Sequence, residues 1–167
     1  MILDPVYTSQ KVMKISVDRP STDAYFMEIA AVVSKRSTCL RQKMGAVLVR
    51  DKHILSTGYN GAPRGLPHCS EVGCLRNKLK VPSGQRHELC RGAHAEANAI
   101  IQAALHGTST AGSIMYATHQ PCILCAKLII NAQIMEVVYK NPYADKLAAE
   151  LLSRGGVKLR KFKEKVG

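Results

Sequence analysis

The sequence predicts an α/β fold, a mixed sheet with helices on both faces. Five short apolar runs, bounded by Gly, Pro and Asn, read as strands. Stretches with helical periodicity alternate with the last three of these runs, which asks for parallel pairing through crossover connections. The first two runs are separated only by Asp51-Lys52-His53, which asks for an antiparallel hairpin and makes the sheet mixed.

The elements follow in order. Residues 1–20 show no clean period and end at Pro20, so they read as an N-terminal arm, with a candidate strand in Lys11–Val17. Ser21 or Thr22 can cap a helix running to about Ser37, with Tyr25, Phe26, Ile29, Ala30 and Val33 on one face. Met44–Arg50 and Ile54–Tyr59 are the hairpin strands, and Gly58–Gly65 opens a loop rich in glycine and proline. Residues 66–92 hold two prolines, several glycines and a cluster of cysteines and histidines. A loop of that length inside one domain usually has a functional reason or a metal clip. From His94 the pattern is helical through Leu105 and stops at Gly107. A strand at Ser113–Thr118, a helix at Cys122–Asn131 behind Pro121 and a strand at Ile134–Lys140 come next. After Asn141-Pro142 a helix runs to about Leu152 and ends at Gly155-Gly156, leaving Val157–Phe162 as the last strand. The arrangement is one domain over 21–167, with a cysteine-bearing loop inserted at 62–92 and a basic C-terminal tail.

Composition narrows the function classes. With 46% hydrophobic residues the chain can bury a core, yet its longest apolar runs are far too short to span a bilayer. No charged segment followed by an apolar stretch opens it, so a cytoplasmic location is expected. The formal charge of +12, from 24 Lys and Arg against 12 Asp and Glu, suits a nucleotide phosphate, a nucleic acid or an acidic surface, or is simply a solvated basic surface. Aromatics are only 5%, and no arginine-rich patch is interleaved with them, which disfavours a polynucleotide. Without a secretory signal the six cysteines point to metal binding or catalysis rather than a disulfide framework.

The strongest signal is His94-Ala95-Glu96 followed by Pro121-Cys122-Ile123-Leu124-Cys125. Cys122 and Cys125 lie three apart at a helix start, hence on one face, where the helix N-terminus favours thiolates. With His94 they supply three zinc ligands and leave the fourth tetrahedral position for water, whose pKa a zinc ion lowers to about 7. Glu96 is the expected proton shuttle, although two residues along an ideal helix separate side chains by about 200°. The two can meet at one metal only if it lies off the N-terminal end of the helix. The His-x-Glu and Pro-Cys-x-x-Cys halves together form the signature of zinc deaminases acting on nucleobases.

The chain resembles the deoxycytidylate (dCMP) deaminases of the cytidine deaminase superfamily, including the bacterial ComE operon protein 2 group, over about residues 21–162. The resemblance rests on Arg36-Ser37-Thr38-Cys39, Gly45–Val49, Thr57–Gly61, His68-Cys69, Ala93–Ile100 and Thr118–Cys122. It implies a three-layer α/β/α cytidine-deaminase-like sandwich around a five-stranded sheet, and hydrolysis of dCMP to dUMP and ammonia in pyrimidine nucleotide metabolism. It also implies that Asn60 contacts the sugar, that the Ala95 amide holds the base carbonyl and that the Gln120 carbonyl receives the exocyclic amine. Allosteric control by dCTP and dTTP at Gly58, Tyr59, Asn60 and Gly61 is implied too, with Mg2+ accompanying a triphosphate effector, as is a homo-oligomer, often a hexamer. Some relatives hold a second, structural zinc, for which Cys39, Cys69, Cys74, His87 and Cys90 are the candidates here, with His68 beside them. Arg41 and Tyr143, then Arg36 and Lys35, are phosphate candidates by position, arginine forks suiting phosphate best. Two rival readings stay open: a deaminase of the same superfamily acting on tRNA, a nucleoside or a free base, and a catalytically silent zinc-stapled module.

Overall fold

The computed structural model describes residues 19–143 and 145–163. The expected strand in Lys11–Val17 lies outside them. Twelve elements of the described chain include five strands in one sheet, ordered β2-β1-β3-β4-β5. Strand β1 (Gly45–Arg50) pairs antiparallel with β2 (His53–Tyr59) on one side and with β3 (Ile114–His119) on the other. Strands β3, β4 (Glu136–Asn141) and β5 (Lys158–Lys161) run parallel. The predicted mixed five-stranded sheet is therefore present, each strand within one or two residues of its expected span.

The hairpin turns on Asp51 and Lys52, both with positive φ (51° and 63°), and closes with Arg50 opposite His53. Two left-handed residues in a row give the turn whose twist matches that of the flanking strands. Helix α1 (Thr22–Ser34) opens at Ser21, whose side chain accepts from the Ala24 amide, and stops one turn short of the expected Ser37. Ser37 is instead buried, and its hydroxyl donates to the Asn60 carbonyl at 2.7 Å.

Strand periodicity of two sorts the core into two layers. Val47 and Val49 of β1, Tyr116 of β3 and Val138 of β4 face α1, packing on Phe26, Met27 and Ala30. Ala46, Leu48, Met115, Ala117 and Val137 face the opposite way. There they meet helices α4 (Ala95–Leu105), α5 (Ile123–Asn131) and α6 (Lys146–Arg154) through Ala99, Ala103, Ala126, Ile129, Ala148 and Leu152. Alanines at these contacts let helix backbones approach the sheet closely, and this brings the N-terminal ends of α4 and α5 together. Among the described residues no helix is long and apolar enough to cross a membrane.

The segment expected as a continuous loop over 66–92 is more ordered than that. It contains two single-turn helices, α2 (Cys69–Val72) and α3 (Leu75–Lys78), and a 3-10 turn at His87–Leu89. No hydrophobic period in this stretch announces such short turns. They form because prolines, glycines and tertiary hydrogen bonds fold the segment over the cavity described next.

Candidate active site

His94 is the N-cap of α4, with extended backbone (φ −76°, ψ 157°), and Cys122 is the N-cap of α5 in the same conformation. Helix α4 thus begins at Ala95, one residue after the expected His94. This removes the angular conflict between His94 and Glu96, because His94 lies outside the helical turn and swings its ring back across the helix end. Its Nδ1 lies 3.4 Å from Cys122 Sγ and 3.3 Å from Cys125 Sγ. The three ligand atoms all fall within 4.8 Å of one another, and among the described residues this is the one such group of three or more.

Two helix N-termini aimed at one point favour negative charge there. Cys122 is held down to about 3 by the hydrogen bond with Cys125, supported by His94. Cys125 is pushed far up by the thiolate of Cys122 and by burial, so without metal the pair keeps a proton between its sulfurs. The His94 imidazole is raised, chiefly by its contact with Cys122. One imidazole nitrogen and two sulfurs, already gathered and partly ionised, are a donor set that fits zinc.

Glu96, in the first turn of α4, is 4% exposed. Burial pushes its carboxyl up. Its Oε2 has no hydrogen-bond partner, an orphaned buried oxygen beside a polar centre. Such an atom costs stability unless something outside the chain meets it. Asp145 supports the ligands from behind: its Oδ2 accepts from the Ile123 amide and its Oδ1 from the Ala148 amide, both at 2.9 Å. One carboxylate therefore ties the first turn of α5, next to Cys122, to the first turn of α6.

These residues open into a cavity of about 420 Å³. Asn60 forms part of its wall and also clamps it, accepting from the Met44 amide and donating to the Gln42 carbonyl, both at 2.8 Å. Gln120 lines the cavity too, its amide spent on the Asn141 carbonyl. Ala95 is buried at the helix start, where its amide has no carbonyl one turn back within the helix. Arg41 and Tyr143 reach the cavity, whereas Arg36 and Lys35 are exposed at the end of α1 and do not line it.

The second cysteine set is brought to the same cavity without closing around a point. Cys39, Cys69, Cys74 and Cys90 all line it. The Cys69 thiol is raised by burial and then by its neighbours Cys39, Cys90 and Cys74. His87 lines the cavity as well, but beside the metal donors: its Nε2 meets the Tyr143 hydroxyl at 2.9 Å and its ring lies edge-on to His94, 5.2 Å between centroids. His68 is exposed and pairs with Thr38 at 3.1 Å. The residue that sequence reasoning missed is Arg76, buried in α3 and lining the cavity. Nothing in the local pattern marks it, since a single arginine in a polar stretch reads as surface charge.

The Gly58–Gly61 segment has a packing role. A Cβ on Gly58 would lie 2.2 Å from the Ala95 carbonyl oxygen and 2.3 Å from the Ala99 nitrogen, so only glycine lets β2 pass this close to α4. Ser56 and Asn98 fasten the same contact, donating to the Ala99 and Tyr59 carbonyls at 2.7 Å each. Gly58→Ala is therefore expected to push α4 and its ligand His94 away from the sheet. The expected cost is about 1–3 kcal/mol or more, together with weaker zinc retention. Thermal unfolding and bound zinc per chain check this, and a variant with wild-type midpoint and zinc content would refute it.

The model of the cytidine and deoxycytidylate deaminase zinc-binding region matches residues 20–141. The deoxycytidylate deaminase of Schizosaccharomyces pombe is 41% identical over 145 residues; the match covers 86% of this chain, which spans only 45% of the length of that relative. ComE operon protein 2 of Bacillus subtilis is 40% identical over 142 residues, covering 84% of this chain and 71% of that protein. Among solved structures, the dCMP deaminase of the cyanophage S-TIM5 in apo form superposes with a TM-score of 0.69 at 30% identity, over 86% of this chain and 99% of that one. The same phage enzyme in complex with dCMP and dUMP gives 0.68 over 83% and 94%. Fold, ligand geometry and sequence agree, and the chain belongs to the cytidine and deoxycytidylate deaminase zinc-binding family.

Proposed function

We propose that the protein is a zinc-dependent hydrolase that converts dCMP and water to dUMP and ammonia. The observation that carries this reading is the buried, unpartnered Glu96 Oε2 beside the His94, Cys122 and Cys125 donors, at the floor of a nucleotide-sized cavity. A metal held only for structure has no use for an orphaned carboxylate. A zinc ion bound by the three donors supplies Lewis acidity and an acidified water. The chain's own residues do the rest. Glu96 Oε2 accepts the water's first proton and delivers it to the ring nitrogen next to the carbon under attack. It then takes the remaining proton from the new hydroxyl and gives it to the departing amine, leaving the dUMP carbonyl and ammonia. The Ala95 amide donates to the base carbonyl, the Gln120 carbonyl orients the exocyclic amine, and Asn60 meets the sugar with the second hydrogen of its carboxamide. Similarity to the phage enzyme whose structure holds dCMP and dUMP supports the choice of nucleotide.

Three finer points belong to the same reading. A second zinc within the set Cys39, Cys69, Cys74, His87 and Cys90 rests on the family resemblance and on the cavity wall these residues share, and two zinc ions per chain rather than one would establish it. A homo-oligomer is supported by the exposed pairs Ile101 with Leu105 on α4 and Leu124 with Leu128 on α5; a monomeric mass by light scattering would remove it. Effector control at Gly58–Gly61 rests on the family resemblance, and unchanged kinetics with dCTP and Mg2+ or with dTTP would remove it.

Ammonia release from dCMP, dCTP, deoxycytidine and CMP by the zinc-loaded protein tests the central claim. Turnover concentrated on dCMP is expected. Absence of turnover on all four would shift the reading to another substrate class or to a silent module.

A further inference from the structure

Arg76 is 8% exposed, yet no carboxylate pairs with it among the described ion pairs. Its Nη2 donates to the carbonyls of Pro82 (3.3 Å) and Gln85 (2.5 Å), and its buried Nε has no acceptor. A buried guanidinium without a counter-ion is costly, and an orphaned N–H within it adds to the cost. The cavity it lines offers no internal partner. Glu96 is the one carboxylate among the lining residues, and it lies at the metal end. Arginines 41 and 91 line the same cavity, so its field is positive. Arg41 reaches across the same stretch of chain, donating to the Val81 carbonyl at 2.9 Å. Arg76 lines the same cavity as His94, Cys122 and Tyr143.

We propose that Arg76 is the phosphate-reading residue of this cavity: its guanidinium takes the 5′-phosphate of the nucleotide whose base lies at His94, Cys122 and Cys125, and so sets the preference for a nucleoside monophosphate over the nucleoside. A phosphate supplies what the site lacks, an anion with acceptors for both the free Nε and the remaining amino hydrogens. The carbonyls of Pro82 and Gln85 hold the fork in place before substrate arrives, so little side-chain entropy is lost on binding. The inference rests on the deaminase reading above for the position of the base, but not for the phosphate contact itself.

The test compares zinc-loaded wild type, Arg76→Gln and Arg76→Lys, each with dUMP against deoxyuridine by calorimetry, and with dCMP against deoxycytidine by ammonia release. Wild type should favour the phosphorylated member of each pair. Arg76→Gln should lower that preference about 10- to 100-fold, the worth of hydrogen bonds to a charged group. Arg76→Lys should lower it less, because lysine keeps the charge but loses the fork. Should the glutamine variant fail to fold, the lysine variant, with its positive charge retained, decides the matter. Equal binding of dUMP and deoxyuridine by wild type overturns the proposal. So does an equal loss toward nucleotide and nucleoside in both variants, which would mean that Arg76 only holds the 82–85 stretch. If wild type binds dUMP through Arg76 but deaminates nothing, the deaminase reading fails and the phosphate assignment stands.

Discussion

Replacing Glu96 with glutamine is expected to lower the turnover number for dCMP by at least about 10³-fold, near the upper range for loss of a general acid–base group. Bound zinc should stay at the wild-type level. The pairing of these two results is what makes the prediction specific. Glu96 lies next to the ligand set but is not needed to complete it, since His94, Cys122 and Cys125 already converge without it. Glutamine keeps the shape and volume, and its amide cannot carry a proton back and forth. Stability should move the other way from activity. The Glu96 carboxyl is buried, pushed up by that burial, and has one oxygen without a partner. Neutralising it removes a desolvation cost, so the metal-free variant should unfold at or above the wild-type midpoint. A Glu96→Gln protein that retains a tenth of wild-type turnover would dismiss Glu96 as the shuttle. One that unfolds well below wild type would mean the carboxylate is a structural partner instead.

The fold and the metal centre were legible in the sequence for the same reason: both are written in short-range patterns. Short apolar runs bounded by Gly, Pro and Asn mark the strands, and strand geometry then sends Val47 and Leu48, or Tyr116 and Met115, to opposite faces, as the structure shows. The two halves of the metal motif each sit at a helix start, so local rules place their side chains and the sheet has only to bring two helix ends together. What was hidden depends on contacts distant in sequence. The single-turn helices within 66–92 carry no period, being too short to have one. Gly58 reads as the opening of a glycine- and proline-rich loop until the Ala95 carbonyl is found 2.2 Å from its missing Cβ. His87 looks like a partner for Cys69, Cys74 and Cys90, three to eighteen positions away, but Tyr143, fifty-six residues on, takes its Nε2. Arg76 gives no local sign of burial, because what buries it is the chain that folds back at Pro82 and Gln85.

Removing zinc should abolish turnover and also lower the unfolding midpoint by roughly 10 °C, an effect on the fold itself. The three donors span two helices that otherwise meet through small side chains such as Ala95, Ala99 and Ala126. A metal bound only in the native state stabilises it by about 4 kcal/mol at a thousandfold excess over its dissociation constant, and each kcal/mol is worth about 2–4 °C in a chain of this size. Cys125→Ser should reproduce both losses even with zinc supplied, since a serine hydroxyl stays protonated where a thiol releases its proton and binds the metal as thiolate. The binding step has its own signature. In the metal-free chain Cys122 is already ionised while Cys125 is held protonated by its neighbour and by burial. Zinc uptake must therefore expel the proton shared by the two sulfurs, which a weakly buffered solution reports as acidification. Uptake without proton release would contradict the assignment of Cys125 as a ligand. A midpoint indifferent to chelation would show that packing alone holds the ends of α4 and α5 together.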